Sequence, residues 1–283
     1  MRIAVLMTCH NRCAKTIDCL KHLYKCVKPD NLVFEVFLVD DGCTDNTPVE
    51  VKFKFPDVHI IQGNGNLFWN RGMCLAWENA VEQGGFDGYL WLNDDTLIND
   101  DALQKILTLS LDNPNSNIVG TICSTDKTRI TYGGFVKGKI ISPNGSLQYC
   151  DKFNGNFVYI PSSVTEIVGY MDPFYRHSKG DSDYAIRTNL AGLKNIVGPI
   201  VGTCDRNPIG AIWNKGNIVE RYKKLYSPLG NNPFEMYHIC RLTSYPRALW
   251  GFVYLHVRVL MSFVIPQSLI KKYILHKDNR YSE

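Results

Sequence analysis

The sequence predicts an α/β fold: a mostly parallel sheet flanked by helices, with a helical C-terminal appendage. Three observations carry this. Apolar or β-branched runs alternate with helically spaced segments through the first 122 residues, an order that implies parallel strands covered on both faces. The run 88–92 is continuously apolar, as a strand buried on two sides should be. From Trp213 onward the chain turns basic and aromatic and then enters one long apolar stretch.

Residues 3–8 are a short apolar run and predict the first strand. Residues 15–26 place Ile17, Leu20, Leu23 and Tyr24 at helical spacing. Residues 33–39 alternate and are β-branched, and residues 58–61 repeat the strand signal. In 69–81, Trp69, Met73, Trp77, Ala80 and Val81 share one helical face. After the strand 88–92, residues 102–111 repeat Leu103, Ile106, Leu107 and Leu111 behind an Asp100 cap, and 118–122 form a further strand. Residues 128–160 are short, Gly-punctuated segments rich in Tyr, Phe, Val and Ile, expected as hairpins or edge strands. A helix over 181–191 and a strand over 195–201 close the domain. The expected division is 1–210 for the main domain and 211–283 for the appendage.

Composition narrows the function. Of the residues, 45% are hydrophobic and 20% charged, enough for a sizeable core. The net charge of +4 argues against a nucleic-acid partner. None of the ten cysteines forms a Cys-x-x-Cys pair, so a zinc ribbon is not expected, and Cys9, His10 and Cys13 read as structural. Free thiols in this number suit a reducing cytoplasm. The first apolar run is too short for a secretory signal. The stretch 248–265 contains His256 and Arg258 and falls short of the ~20 apolar residues a spanning helix needs. It is expected to lie on a membrane surface, or to pack on the domain or on a partner subunit in a homo-oligomer. Lys215, Arg221, Lys223, Lys224, Arg241 and Arg247 flank it and could meet anionic headgroups on the inner face of the cytoplasmic membrane.

The loops after the first four strands carry the polar signal. They read Thr8-Cys9-His10-Asn11-Arg12, Asp40-Asp41-Gly42-Cys43-Thr44-Asp45, Gln62-Gly63-Asn64-Gly65-Asn66 and Asn93-Asp94-Asp95-Thr96. A parallel sheet brings all four to one edge, where α/β proteins hold their ligands. Adjacent carboxylates at such an edge repel unless a cation intervenes, which suggests a divalent metal and a phosphate-bearing ligand. No glycine follows the first strand, and Phe68 stands where a third glycine would complete G-x-G-x-x-G. The ligand is therefore held by carboxylates and metal rather than by a glycine cradle.

These segments resemble family 2 glycosyltransferases of the GT-A fold. Residues 39–45 (V-D-D-G-C-T-D) are similar to the family's V-D-D-G-S-T-D, with Cys43 for Ser. Residues 8–12 resemble its first nucleotide loop, and 63–72 its Gly/Asn/aromatic segment, as in rhamnosyltransferase-like members. Residues 93–96 resemble its DXD variant. Residues 169–174 resemble G-G-F-D-x-x-F, and Asp181 to Arg187 resemble E-D-x-D-L-x-x-R. The likeness spans about residues 3–200.

The resemblance implies an inverting transferase that moves a sugar from a dTDP- or UDP-linked donor to a saccharide or lipid-linked saccharide acceptor in bacterial surface polysaccharide synthesis. It implies that Asp40 meets the base and that Asp41 and Asn93 or Asp94 lie near base and ribose. Asp95 would hold Mn2+ or Mg2+, and Asp181 would be the general base. Thr8, His10, Asn11, Arg12, Gly63, Asn64, Asn66, Asn70 and Arg71 would complete the nucleotide-sugar site. Asp183 and Arg187 read as an i, i+4 helix pair, Asp172 as a turn residue, and Trp69 as packing at a helix start. Three departures stand out: Gly180 for Glu, Asn93 for the first acid of DXD, and Thr203-Cys204-Asp205 where relatives often carry His. They keep open a catalytically silent nucleotide-sugar-binding scaffold. A nucleotidyltransferase would need a Gly-rich loop that is missing.

Overall fold

A computed structural model describes residues 1–206 and 216–264. Two compact units are present: Met1–Arg176 with Gly180–Arg206, and His177–Lys179 with Asn207–Glu283. Trp213, Lys215, the expected boundary at 210/211 and Ile265 lie outside the described residues.

In the first unit the order begins β1 (Arg2–Cys9), α1 (Cys13–Lys25), β2 (Val33–Asp40), α2 (Thr47–Lys54), β3 (His59–Gln62), α3 (Phe68–Gln83) and β4 (Gly88–Leu92). It continues β5 (Leu97–Ile98), α4 (Ala102–Leu111), β6 (Ser116–Cys123), β7 (Ile130–Tyr132), β8 (Gly134–Val136) and β9 (Lys139–Ile140). It ends β10 (Lys152–Phe153), β11 (Phe157–Pro161), α5 (Ser162–Val168), α6 (Gly180–Leu190) and β12 (Lys194–Thr203).

The main sheet runs β3-β2-β1-β4-β11-β6-β12-β5, with β7 beside β6. Strands β3, β2, β1 and β4 are parallel, so their carboxyl ends share an edge. Chain order reverses between β1 and β4. In open α/β sheets, ligands bind at the carboxyl edge near such a reversal.

Every residue of β4 and β6 is buried, and so is all of β1 beyond Arg2, because helices cover both faces. On one face, Ile17, Leu20 and Leu23 of α1 join Leu103 and Ile106 of α4 against β1 and β6. On the other, Met73, Trp77 and Ala80 of α3 meet Tyr184 of α6. Trp91 of β4 anchors that face, edge-on to Trp77 at 5.6 Å and to Tyr184 at 5.4 Å between ring centroids. Truncating a fully buried Trp of this kind to Ala costs ~3–5 kcal/mol.

Three departures from the sequence reading are physical. Residues 47–54 form α2, which the pattern did not announce because only Thr47 and Val51 are buried. Residues 128–160 do supply a small antiparallel sheet, β10-β8-β9, but β11 is no edge strand. It inserts antiparallel between β4 and β6 with all five residues buried. At α4 the N-cap is Asp101, without a side-chain cap bond, and Asp100 instead pairs with Lys25.

The second unit holds α7 (Ile218–Leu225), α8 (Pro233–Arg241) and α9 (Tyr245–Met261). Asn217 and Glu220 close a capping box on α7, Asn232 and Pro233 start α8, and Ser244 caps α9. Leu225, Leu255 and Val259 form the inner contact with Tyr222, Tyr226 and Met236. The other face of α9 exposes Leu249, Trp250, Val253, Val257 and Leu260. Among the described residues no helix is long and apolar enough to cross a membrane.

Candidate active site

The four polar loops interlock at the sheet edge through named bonds. His10 Nδ1 lies 2.6 Å from the Asp41 carbonyl oxygen. Asn11, at φ +52°, accepts through Oδ1 from the backbone N–H groups of Thr44 (2.7 Å) and Asp45 (3.2 Å). Asp45 in turn accepts from the Cys13 N–H at 3.1 Å, tying the loop after β2 to the start of α1. The side chains of His10, Asn11, Asn64 and Asn66 are exposed, and Asn64 turns back to accept from the Asn66 N–H.

The two acids that end β2 divide the work. Asp40 Oδ1 accepts from the Cys43 N–H at 2.8 Å, which folds the loop back over the strand end. The Asp41 carboxylate accepts from the backbone N–H groups of Gly65 (2.8 Å), Leu67 (3.0 Å) and Phe68 (2.9 Å). It holds Phe68 at φ +58°, a conformation a bulky residue takes only when its surroundings impose it. The backbone here is crowded: a Cβ on Gly63 would lie 3.0 Å from the Asp41 Cα. Asp41, expected beside base and ribose, is thus committed to organising the loop before α3.

Arg12 bridges the acids after β4. Its Nη1 donates to Asp94 Oδ1 at 3.2 Å and to Asp95 Oδ2 at 3.0 Å. Asp94 is 5% exposed and also accepts from the Thr16 hydroxyl at 3.4 Å. Burial pushes Asp94 up to about 6; Arg12 pulls against that and Asp95 adds to it. Burial acts to lower the Arg12 pKa, but Asp94 and Asp95 outweigh it and hold the guanidinium charged. On the far side of Asp95, the Cys204 thiol donates to Oδ1 at 3.6 Å, and burial with Asp95 pushes that thiol up to about 12. Cys204 therefore stands against the acid where relatives were expected to place His.

Asp181 reaches the same region through the segment before β11. Its Oδ2 accepts from the Gly155 N–H (3.2 Å) and its Oδ1 from the Ser182 N–H (2.7 Å). The next residue, Asn156, accepts through its carbonyl from the Asn93 N–H at 3.0 Å. Trp69 packs on Gly155, where a Cβ would come within 2.5 Å of the indole, and its Nε1–H donates to Asn93 Oδ1 at 2.6 Å. Asp181, Gly155, Trp69 and Asn93 thus form one connected wall. Burial raises the Asp181 pKa, against the opposing pull of the Ser182 and Gly155 N–H groups.

Other residues expected at the site make bonds within the fold. Asn70 is fully buried; its amide donates to the carbonyls of Asp172 and Tyr175 at 2.9 Å. Thr8 is buried against Gly72, whose hypothetical Cβ would lie 2.3 Å from Thr8 Oγ1. Arg71 donates to the Pro173 carbonyl at 2.9 Å, fixing the same turn as Asn70. Asp183 accepts from Arg187 at 2.7 Å and from the Tyr175 hydroxyl at 3.0 Å, the helix pair the spacing predicts. Gly155, Asn156 and Thr16 escaped the sequence reading; an Asn-Gly-Asn turn before an apolar run was the only trace of the first two.

The family model of glycosyl transferase family 2 matches residues 4–163, which includes the first four loops, all of β11 and the first two residues of α5. The chain belongs to glycosyl transferase family 2. A curated relative, poly-beta-1,6-N-acetyl-D-glucosamine synthase of Staphylococcus epidermidis, is 26% identical over 182 residues. The match covers 60% of this chain and 42% of the synthase, so this family 2 chain spans under half of that relative. S. aureus TarS 1–349 in complex with UDP-GlcNAc superposes with a TM-score of 0.60 at 14% identity, over 99% of this chain and 78% of TarS. The mannosyltransferase PcManGT from Pyrobaculum calidifontis, in complex with GDP-Man and Mn2+, gives 0.54 at 17%, over 91% and 74%. At these identities the likeness concerns the fold, which is GT-A.

Proposed function

We propose that this family 2 glycosyltransferase moves a sugar, with inversion, from a nucleotide diphosphate donor to a saccharide acceptor in surface polysaccharide synthesis. The observation that carries this is the junction of Asp94 and Asp95 with Asp181 through Asn93, Trp69 and Gly155. It supports a leaving-group end and a base end on one wall.

The donor set fits a hard divalent cation. Asp94 and Asp95 bring two adjacent carboxylates, and Arg12 neutralises them as an internal cation. Among the described residues they form no three-ligand group with a neighbouring His, Cys, Asp or Glu. Mg2+ and Mn2+ suit such a site, since one or two carboxylates with substrate phosphates complete their coordination. Asp95 would hold the ion, which stabilises charge on the departing diphosphate. Asp40 and the loop after β3 would seat the base. Asp181, its pKa raised by burial, would take the acceptor hydroxyl proton, a contribution typically worth ~10²–10⁴ in rate.

The departure at Gly180 falls at a crowded position. A Cβ there would lie 1.6 Å from Asn70 Oδ1, so a side chain at 180 would require the Asn70 side chain to move. A glycine at 180 thus fits the packing against Asn70, and Asp181 beside it keeps its bonds to Gly155 and Ser182, which supports the reading of Asp181 as the base. This disfavours the silent scaffold.

The likeness of the 63–72 loop to rhamnosyltransferase-like members favours a dTDP- or UDP-linked donor. The exposed apolar face of α9, with Trp250 68% exposed and Arg247 nearby, supports a peripheral site on an anionic membrane and a lipid-linked acceptor. Co-sedimentation with anionic vesicles that Trp250→Glu abolishes supports that placement; a chain that dimerises through α9 and ignores vesicles overturns it. For the donor, thermal shift across a panel of nucleotide sugars with Mn2+ decides: one donor at 100 times its Kd adds ~2.7 kcal/mol of stability.

A further inference from the structure

Cys9 ends β1, and the β1–β2 register sets it beside Asp40. Cys43 lies in the loop that Asp40 folds back, and its Sγ is 3.9 Å from the Cys9 Sγ. One ligand atom each from Cys9, Asp40 and Cys43 lies within 4.8 Å of the others. We infer that these three residues form a second cation site, for a thiophilic divalent ion such as zinc or cadmium, on the base side of the cleft. Its occupancy excludes the nucleotide; that clause rests on the placement of the base at Asp40 proposed above.

The sulfur separation is the argument. Tetrahedral zinc with Zn–S bonds of ~2.3 Å holds two sulfurs ~3.8 Å apart. A disulfide needs ~2.05 Å and would require the β2 loop to move. The Asn11 N–H donates to Cys43 Sγ at 3.2 Å and so supports a thiolate there. Cys9 is buried and Cys43 partly exposed, which gives the ion an approach from the loop side. Burial pushes Cys43 up to about 11, and Cys9 is raised by burial, Cys43, Asp94 and Asp40 together. Both are thiols without metal and react slowly with oxidants. Metal entry forms two metal–sulfur bonds and releases two protons to solvent. Softness sorts the two sites: thiolates take zinc or cadmium, while the oxygen donors at Asp95 take Mg2+ or Mn2+. Sequence spacing hid the pair, since Cys9 ends β1 and Cys43 lies in the loop after β2.

The test is Cd2+ titration of the full chain in excess Mg2+, reading the thiolate-to-cadmium charge-transfer band in the ultraviolet. One equivalent should develop the band, and Cys9→Ala and Cys43→Ser should each remove that equivalent. Cys43→Ser, at a partly exposed position, keeps the test valid if the buried Cys9 variant fails to fold. Saturating UDP should weaken Cd2+ binding at least tenfold. A band unchanged in Cys43→Ser overturns the site. A band that needs Cys43 yet ignores bound UDP upholds the site and overturns the exclusion. If calorimetry detects no UDP binding at all, the nucleotide reading fails while the band still judges the metal site.

Discussion

Arg12 Nη1 stands 3.0 Å from Asp95 Oδ2, so the acid assigned to the metal already faces a fixed positive charge. The guanidinium and an incoming ion compete for Asp95, whereas the guanidinium and a diphosphate attract. Arg12→Ala should therefore bind Mn2+ alone more tightly and UDP with Mn2+ about tenfold more weakly, a loss of ~1.4 kcal/mol. Arg12→Lys should fall between, lacking the planar fork. Calorimetry with metal alone and with metal plus UDP separates the two effects.

Asp181 makes a prediction in pH. Its pKa is raised in the folded chain, so between the ordinary carboxylate value and the raised one the native state holds more protons than the unfolded state. Stability from this group therefore falls as pH rises through that window and is flat above it. Asp181→Asn should lose that slope in urea titrations while dropping transfer by ~10²–10⁴. In the wild type, the acid limb of kcat/KM should be displaced upward from the ordinary carboxylate value. A variant with normal turnover removes Asp181 from the chemistry.

Asp41 is expected to matter for the loop rather than for a direct ligand contact. Asp41→Ala leaves the N–H groups of Gly65, Leu67 and Phe68 without their acceptor. The loss should be ~2–4 kcal/mol in urea denaturation, since charge-assisted bonds contribute ~1.5–3 kcal/mol each and do not add. Nucleotide affinity should fall with it.

Gly180 and Asn70 form a coupled pair. Gly180 is the first residue of α6, and a new Cβ there meets Asn70 Oδ1. Gly180→Ala should cost ~1–3 kcal/mol. In an Asn70→Ala background the cost should shrink, and a double-mutant cycle should return a coupling of ~1 kcal/mol or more. Strict additivity would mean that Asn70 does not exclude the side chain.

Much of this was legible because uninterrupted apolar runs such as 88–92 announce strands buried on both faces, and because a parallel sheet delivers its loops to one edge. The central place of β11 was not legible: its run reports burial, and nothing local names β4 and β6 as partners. Asn70 and Thr8 looked like ligands because a polar residue in a binding motif has the same letters whether it faces a cleft or satisfies a buried carbonyl. Asp40 and Asp41 are adjacent in sequence, yet only their hydrogen bonds reveal that Asp41 serves the loop before α3. Cys204 against Asp95 depended on the register of β12, which the sequence does not encode locally.

The most direct measurement is release of nucleotide diphosphate from a sugar donor, with and without divalent metal, in the wild type and in Asp95→Ala. The account predicts Mn2+- or Mg2+-dependent release that chelation stops and that Asp95→Ala loses while remaining folded. Equal release with chelator, or from Asp95→Ala, would contradict it.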